Sequence, residues 1–476
     1  MPDNISKITG LTEAYHNFGN FPLTEKNFEK FGISLMSRDS ADSIIKTIET
    51  SERLQKILVI GHSGCGKTTV LRQVAADEEL NKKNHVIMFS LSRELNLLDT
   101  DALDIMLVVY MHLIYALPLD LSGQYLESFR LLTEPAFESL DIKDRGFDLM
   151  KIVSFNIKTN YKFRKNLRKT LKKNIIELQK SISIICREFS SQIYRCYRIT
   201  DRVLKRLKEQ EVSEKVISQL EQIKGKEYKS ELKFSRILKK QIGDVQTMHY
   251  KPVIMKYAWV ESPMDPVIII DSSDKLIHKA VKQIFFEESH ILRTLEAKMV
   301  FSFPLSAYYH PNFFQIRDFF LNEFIRPVHL YDMSGYFQNN ALQCLSELIE
   351  KRIDKDLITH DALQYIITSS GGLLRDLVRM MQMCCKSAVY ENKDIIDKKT
   401  AQKTVNEMAD MYARFLDFAQ YREILEKIMK TRFKTGMLHN NLTYLLKYHF
   451  VLEYGINKNP IWYDVHPCLK ESFFRQ

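Results

Sequence analysis

The pattern of apolar and polar residues divides the chain into segments with different periods. Short apolar runs at residues 55–60 (QKILVI), 266–271 (PVIIID) and 299–304 (MVFSFP) are typical of buried parallel strands. Between residues 163 and 189, apolar residues recur at every third or fourth position, which predicts a long amphipathic helix. We therefore expect an α/β protein with a parallel sheet and a helical insert, which we picture as a hairpin or small bundle projecting from the core.

The pattern changes again near the C-terminus. Residues 421–476 read as helix, helix, strand, turn, strand and short helix, with the turn at residues 455–459. This order predicts a winged-helix domain. Its aromatic residues Tyr454, Trp462 and Tyr463 suit a protein interface as well as a nucleic acid.

Length and composition restrict the class of protein. A chain of 476 residues is too long for one ordinary core, and 45% hydrophobic with 27% charged residues indicates a globular protein. The apolar run at residues 106–117 is too short to cross a bilayer, and the N-terminus lacks a secretory signal, so we expect a cytoplasmic protein that does not bind membranes. Seven cysteines without paired spacing predict reduced thiols, not disulfides or a zinc site.

The positive charge is concentrated in one segment. The net charge is +10, yet residues 151–250 alone contain 25 Lys and Arg against 10 Asp and Glu. Within residues 162–173 there is no acidic residue, and the basic ones are Lys162, Arg164, Lys165, Arg168, Lys169, Lys172 and Lys173. Either a polyanion such as duplex DNA or a solvated helix face explains this cluster. With few aromatic residues nearby, phosphate contact is expected and base readout is not.

Residues 61–68 follow the first apolar strand and fit the pattern GxxxxGK[ST] at every specified position. Glycines let such a loop curl so that its backbone N–H groups face phosphates, and the next helix adds its positive N-terminal end. Lys67 would bridge the β- and γ-phosphates, and Thr68 would bind Mg²⁺. We therefore expect ATP and Mg²⁺ as ligands of a P-loop that consists of Gly61, His62, Ser63, Gly64, Cys65, Gly66, Lys67, Thr68 and Thr69.

The second apolar strand ends in a carboxylate, Asp271, which would hold Mg²⁺ as a Walker-B acid does. Ser272 comes next, where many hydrolysing relatives carry Asp or Glu, so we expect slow turnover. Asp274 is the alternative residue to polarise water. A helix N-cap explains Asp274 equally well.

With these motifs in place, the chain resembles the AAA+/STAND class of P-loop ATPases. Within that class it is most similar to replication initiators and to bacterial transposition- or defence-associated ATPases. The resemblance covers roughly residues 30–117 and 251–476. It implies a parallel P-loop NTPase sheet, a small helical lid domain and a C-terminal winged-helix domain.

The resemblance also implies roles for residues outside the two motifs. Ser302, in the third strand, would be the sensor-1 residue facing the γ-phosphate. Arg326, expected just before a fourth strand, would be an arginine finger for a neighbour's site, with Arg317 as the alternative. Arg375, in SSGGLLRDL, would be the sensor-2 arginine of the lid. A strand-end serine, a solvated arginine and a helix N-terminus are the corresponding structural explanations.

The predicted domains follow from these assignments. They are an N-terminal segment with the first half of the ATPase core (1–117), a basic helical insert (118–250), the second half of the core (251–335), the lid (336–410) and the winged helix (411–476).

The expected function is that of an ATP-binding, slowly hydrolysing switch that self-assembles with ATP and engages duplex DNA or a protein. One alternative is a STAND-type sensor or regulator in an anti-phage defence or transposition system, which would act through an effector protein. The other is a nucleotide-bound scaffold that does not hydrolyse ATP.

Overall fold

The computed structural model of the chain describes residues 10–19, 27, 30–32, 34–51, 55–117, 119–137, 149–191, 193–210, 212–228, 231–432, 439–455 and 461–473. The chain divides into two compact units. The first unit consists of Met1–Asp77, Ile87–Ile182 and Val267–Gln476, and the second of Glu78–Val86 and Ser183–Pro266. The predicted turn at residues 456–459 lies outside the described residues.

The strands are numbered in chain order. They are β1 (Lys56–Gly61), β2 (Asn84–Ser90), β3 (Ile193–Arg198), β4 (Glu227–Tyr228), β5 (Trp259–Pro263), β6 (Asp265–Asp271), β7 (Lys298–Pro304), β8 (Phe320–Phe324), β9 (Val451–Tyr454) and β10 (Trp462–Val465).

The helices are numbered in the same way. Up to β3 they are α1 (Leu11–Asn17), α2 (Ser34–Thr50), α3 (Lys67–Ala76), α4 (Glu78–Lys83), α5 (Leu91–Glu94), α6 (Ala102–Ala116), α7 (Leu119–Phe137), α8 (Leu149–Thr159), α9 (Tyr161–Lys173) and α10 (Ile175–Ser191). Between β3 and β8 they are α11 (Asp201–Lys208), α12 (Glu214–Glu221), α13 (Glu231–Ile242), α14 (Asp244–Ala258), α15 (His278–Val281), α16 (Ser289–Arg293) and α17 (Leu305–Tyr308). After β8 come α18 (Asn339–Glu350), α19 (His360–Ser369), α20 (Leu374–Tyr390), α21 (Lys398–Ala413), α22 (Phe418–Thr431), α23 (His439–Lys447) and α24 (Pro467–Phe473).

The central sheet has the strand order β2-β6-β7-β1-β8. The pairs β1–β7, β1–β8 and β6–β7 are parallel. Every residue of β1 is buried, and so is nearly every residue of β6 and β7, which explains why their apolar runs do not alternate with polar residues. Because parallel strands end at the same edge, Gly61, Asp271 and Pro304 lie together there. The mixed α/β fold with a parallel sheet is therefore as predicted.

The lid follows the sheet along the chain and has its own core. Helices α18 to α21 bury apolar residues such as Leu345, Ile366 and Met380, and Ala14 and Phe18 of the N-terminal segment join the same cluster. Gly371 and Gly372, both with positive φ, turn the chain from α19 into α20. A Cβ on Gly372 would lie 1.8 Å from the carbonyl oxygen of Val328, so only glycine fits this close approach.

The C-terminal module, which we define as α22, α23, β9, β10 and α24, has the expected order of elements. Its two strands form an antiparallel hairpin in which Val451 pairs with Val465 and Tyr454 with Trp462. All residues of both strands are buried, including Glu453 and Asp464. Two carboxylates in buried strands require partners, and Asp464 pairs with Arg432 and with Lys470 at 2.6 Å.

The second unit contains strands that the sequence pattern did not predict. Strands β4, β3 and β5 form an antiparallel sheet in that order. Helices α11 to α14 bury a core that includes Leu207, Leu220, Phe234 and Ile254. The segment read as purely helical therefore includes a small sheet, because short strands such as β4 are below the length that periodicity detects.

Two further differences concern the first unit. The single long helix expected over residues 163–189 is two helices, since α9 ends at a cap on Asn174 and α10 starts at the next residue. The strand expected after Arg326 is replaced by β8, which ends at Phe324. Arg326 thus follows the last strand of the sheet and does not precede it, whereas Arg317 lies just before β8. Among the described residues, none of the helices has the length and apolarity that spanning a membrane requires.

Candidate nucleotide site

The P-loop connects β1 to α3 at the carboxyl edge of the sheet. Gly66 is the N-cap of α3 and has φ 105°, a conformation that residues with a side chain rarely adopt. A Cβ on Gly61 would lie 2.2 Å from the carbonyl oxygen of Ile325, so glycine is also required there. Thr68 and Thr69 lie in the first turn of α3, where backbone N–H groups have no helical partner and can bind an anion.

Lys67 is buried in the middle of this site, and protein groups accept all three of its N–H bonds. Its Nζ donates to the carbonyl oxygens of Gly61 at 2.9 Å and His62 at 2.8 Å. The third contact is an ion pair with Asp274 at 2.9 Å, in which both side chains are buried. Burial alone would lower the pKa of Lys67, but the Asp274 carboxylate outweighs it, so the lysine pKa is raised.

Asp274 also contacts the residue predicted as sensor 1. Ser302 donates from Oγ to Asp274 Oδ1 at 3.1 Å, while Asp274 Oδ2 holds Lys67. Burial acts to raise the pKa of Asp274, but Lys67 together with Lys275 and Ser302 outweighs burial and the pKa is lowered, so the carboxylate is charged. Asp274 lies within a short 3-10 turn at Ser273–Lys275 whose N-cap is Ser272, so helix capping does not explain it.

The two residues predicted to bind Mg²⁺ lie side by side. Thr68 donates from Oγ1 to Asp271, at 2.9 Å from Oδ1 and 3.1 Å from Oδ2. Asp271 is buried at the end of β6. A hydroxyl and a carboxylate are hard oxygen ligands, and this donor set suits Mg²⁺ bound to a nucleotide.

Serine hydroxyls surround Ser272, the residue that follows Asp271. Ser272 Oγ is 2.8 Å from Ser90 Oγ and 3.3 Å from Ser92 Oγ, and it donates to Asp271 Oδ2 at 3.3 Å. Lys275 Nζ donates to the same hydroxyl at 3.2 Å. Ser272 has φ 65°, so the backbone holds it in the left-handed region. A serine at this place supplies no charge to activate water.

The lid contacts the P-loop through the start of α20. The backbone N–H of Arg375 donates to the carbonyl oxygen of Gly64 at 3.1 Å, and its Nη1 donates to Ser63 Oγ at 2.6 Å. Leu374 lies over Gly66, where an added Cβ would come within 3.3 Å of its side chain. The predicted sensor-2 arginine therefore lies on the phosphate-binding loop itself.

The C-terminal module contacts the same loop. The backbone N–H of Glu453 donates to His62 Nε2 at 2.9 Å, and the rings of His62 and His449 are 5.6 Å apart. Burial, with His449 and Lys67 nearby, holds the pKa of His62 well below its usual range, so the ring is neutral and its Nε2 can accept. Tyr454 adds a hydrogen bond from its hydroxyl to the carbonyl oxygen of Gly371 at 2.8 Å.

Arg326 is occupied within its own chain. Its Nε lies 3.2 Å from Glu453 Oε1, and its guanidinium is 4.6 Å from the ring centre of Phe324. Tyr309 donates its hydroxyl to the other oxygen of Glu453. Arg317 is half exposed and pairs with Asp318 at 3.3 Å. In this conformation Arg326 is thus held inside the molecule, while the alternative arginine is exposed.

The basic cluster on α9 is smaller than the sequence suggested. Arg164 is buried and pairs with Asp99 at 3.0 Å. Arg168 pairs with Asp99 and Asp101, each at 2.9 Å, and also with Asp104. These two arginines stabilise the fold and do not face a partner. The exposed members of the cluster are Lys162, Lys165, Lys169, Lys172 and Lys173.

Sequence reasoning missed several residues that complete the site, notably Glu453, His449, Tyr309 and Ser90. Glu453 had a usable signal, because a carboxylate within the apolar run FVLEY is unexpected unless it is paired. For His449, Tyr309 and Ser90 the sequence contains no such signal, because their partners are far away along the chain.

Comparisons with known proteins give a limited picture. No family model matches the chain, and no curated protein matches it in sequence. Among solved structures it is similar to the Aeropyrum pernix ORC2 protein in ADPNP–ADP complexes (TM-score 0.35, 10% identity, 97% of this chain and 96% of that one). It is also similar to Drosophila ORC bound to DNA (0.35, 10%, 100% and 94%) and to a mutant of Thermotoga maritima RuvB (0.30, 12%, 95% and 94%).

All three TM-scores are below 0.5, so the class of the protein is defined by its own features. These are the parallel strand order, the P-loop between β1 and α3, and Asp271 at the end of a strand separated from β1 by β7. They define a mixed α/β protein with a P-loop covered by a helical lid.

Proposed function

We propose that the chain is an ATP-binding molecular switch of the AAA+/STAND type, in which the bound nucleotide controls the lid and the C-terminal module. One observation carries this proposal. Both parts contact adjacent residues of the P-loop, the lid through Arg375 on Ser63 and the C-terminal module through Glu453 on His62. A ligand in the loop therefore meets both parts, and differential contacts of this kind are what a nucleotide switch requires.

The residues present fit ATP with Mg²⁺. The loop from Gly61 to Thr69 and the N-terminus of α3 would hold the phosphates, and Thr68 with Asp271 would hold the metal ion. When bound, Mg²⁺ neutralises part of the phosphate charge. Lys67, Ser302 and Arg375 supply the polar groups that would orient the third phosphate.

Slow turnover accords with a switch. Ser272 and its hydrogen-bonded neighbours provide no carboxylate next to Asp271, and both oxygens of Asp274 are already held by Lys67 and Ser302. A site without a free general base retains its nucleotide for longer, so binding rather than hydrolysis sets the state. This favours a regulator over a motor.

The target that best fits the charge distribution is duplex DNA. Five exposed lysines lie on one side of α9, and none of them has an acidic partner among the contacts of the described residues. Lysines at such spacing contact phosphates without reading bases. ATP-dependent self-assembly through Arg326 or Arg317 belongs to the same proposal. The alternative target is an effector protein of a defence or transposition system, which the exposed part of the C-terminal module would bind.

The decisive experiment measures nucleotide binding directly. Lys67→Ala should abolish binding of a non-hydrolysable ATP analogue in calorimetry, because nothing replaces the ammonium between the phosphates. The matched control is Lys386→Ala, which removes an exposed lysine of the lid. At a ligand concentration of about 100 times Kd, the wild type and the control should gain about 2.7 kcal/mol of stability, and the Lys67 variant none. Equal affinity in all three proteins contradicts the proposal.

A further inference from the structure

One carboxylate holds two buried polar groups beside the P-loop. Two groups are expected to contact a third phosphate from the sheet side, Lys67 and Ser302. Asp274 holds both of them, with Oδ2 2.9 Å from Lys67 Nζ and Oδ1 3.1 Å from Ser302 Oγ. All three side chains are buried, so water does not weaken these contacts.

Apart from Lys67, the groups that would bind a second phosphate are not held in this way. The first-turn backbone N–H groups of α3, from Lys67 to Thr69, have no helical partner and do not depend on Asp274. A nucleoside diphosphate therefore competes with Asp274 for Lys67 alone and leaves the contact between Ser302 and Asp274 intact. A nucleoside triphosphate has to compete with Asp274 for both Lys67 and Ser302, and it brings a negative charge next to the carboxylate.

We propose that Asp274 is the residue that makes this site discriminate against the third phosphate, so that the chain binds ADP more tightly than ATP. This inference rests on the proposed nucleotide site and assigns a specificity to it. It differs from the water-polarising role, in which Asp274 would face a bound triphosphate and support its turnover. Here Asp274 acts before any reaction, by occupying the partners of the third phosphate.

The test compares two affinities in each protein. Calorimetry with Mg²⁺ gives Kd for ADP and for a non-hydrolysable ATP analogue, in the wild type, in Asp274→Asn and in a control. The control is Asp244→Asn, which removes an exposed aspartate paired with Lys239 at 3.2 Å. The ratio of the two Kd values compares two bound states, so an effect of the substitution on the nucleotide-free protein does not change it.

The wild type and the control should prefer ADP. Asp274→Asn should shift the ratio toward the ATP analogue by about tenfold or more, because the amide has no charge to oppose the phosphate and holds Lys67 less strongly. A ratio within twofold of the wild type overturns the inference. A shift in the opposite direction also overturns it and supports the water-polarising role.

The wild type alone is a second test, which does not require the variant to fold. Tighter binding of the ATP analogue than of ADP by the unmodified chain contradicts the inference. If neither nucleotide binds to the wild type, the proposed function itself fails. If both bind without the expected preference, the nucleotide site stands and only the role of Asp274 is rejected.

Discussion

The contact between Arg326 and Glu453 leads to a quantitative prediction about assembly. Glu453→Gln keeps the size of the side chain and removes its charge. In the wild type, the carboxylate is fully buried and binds Arg326 and Tyr309, while its backbone N–H binds His62. The substitution should therefore weaken the attachment of the C-terminal module and release Arg326 at the same time.

The size of this effect follows from the geometry. Two unit charges 3.2 Å apart attract each other by about 5 kcal/mol at an effective dielectric constant of about 20. The cost of burying the carboxylate cancels much of this attraction, and burial indeed raises the pKa of Glu453. Hydrogen bonds to charged groups retain a net value of about 1.5–3 kcal/mol. A loss of about 2 kcal/mol increases the detached fraction about 30-fold.

The assay is the molar mass from light scattering, measured over a protein concentration series with a non-hydrolysable ATP analogue. Glu453→Gln should assemble at a concentration well below that of the wild type, because the arginine expected to complete a neighbour's site is free. The double variant Glu453→Gln/Arg326→Ala should not assemble. Glu423→Gln is the control, because Glu423 is exposed and pairs with Lys427 on its own helix.

A loss of stability alone does not support the reasoning. If Glu453→Gln lowers the urea midpoint but leaves the assembly concentration unchanged, the pair is purely structural. If the double variant assembles as readily as Glu453→Gln, Arg326 is not the finger, and the exposed Arg317 becomes the candidate.

Two other predictions concern DNA binding and pH. Replacing four exposed lysines of α9 with Gln should flatten the slope of log affinity for duplex DNA against log salt by up to about 3–4. The four are Lys162, Lys165, Lys169 and Lys172, and the matched control set is the exposed lid residues Lys355, Lys386, Lys398 and Lys399. Indistinguishable slopes would exclude α9 from DNA binding. Burial lowers the pKa of His449 to about 4 from its ordinary 6.5. Between these pH values the unfolded chain binds a proton at His449 and the folded chain does not, so stability should fall as pH drops from 6.5 to 4. Asn tolerates the positive φ of this position, so His449→Asn should keep the fold and remove about 3 kcal/mol of that pH-dependent change in the free energy of unfolding, measured by urea titration. The exposed His360→Asn is the control and should remove none of it. Equal pH profiles of the two variants would contradict the assignment.

The sequence predicted those parts of the fold that depend on neighbouring residues. The P-loop and the strand ending in Asp271 are local patterns of strand, turn and helix, and the structure has both where they were expected. The roles of the individual site residues remain predictions. The structure places these residues next to the P-loop, and their roles in binding or hydrolysis stay predictions.

The errors arise where a residue's partner is distant in sequence. The sequence predicts that Arg168 faces either a polyanion or solvent, because Asp104, its buried partner, is 64 residues away. The fourth strand is expected after Arg326, although the chain there is mostly irregular and β8 forms earlier, from the more polar segment FLNEF. Val328, directly after Pro327, is buried without joining the sheet, because the proline ring supplies no N–H for pairing and the N–H of Val328 donates to Gly372 of the lid.

The distance between His62 and Glu453 also has a consequence for folding during synthesis. The P-loop lies near the start of the chain, and its partner in the C-terminal hairpin follows 391 residues later. Strands β7 and β8, which flank β1 in the sheet, are complete once Phe324 is made. At about 5–20 residues per second, the ribosome needs roughly 6–26 seconds more to reach Glu453. During that time the loop has its neighbours in the sheet but not the strand that later contacts it, so a nucleotide that binds as proposed has access to the loop before the hairpin exists.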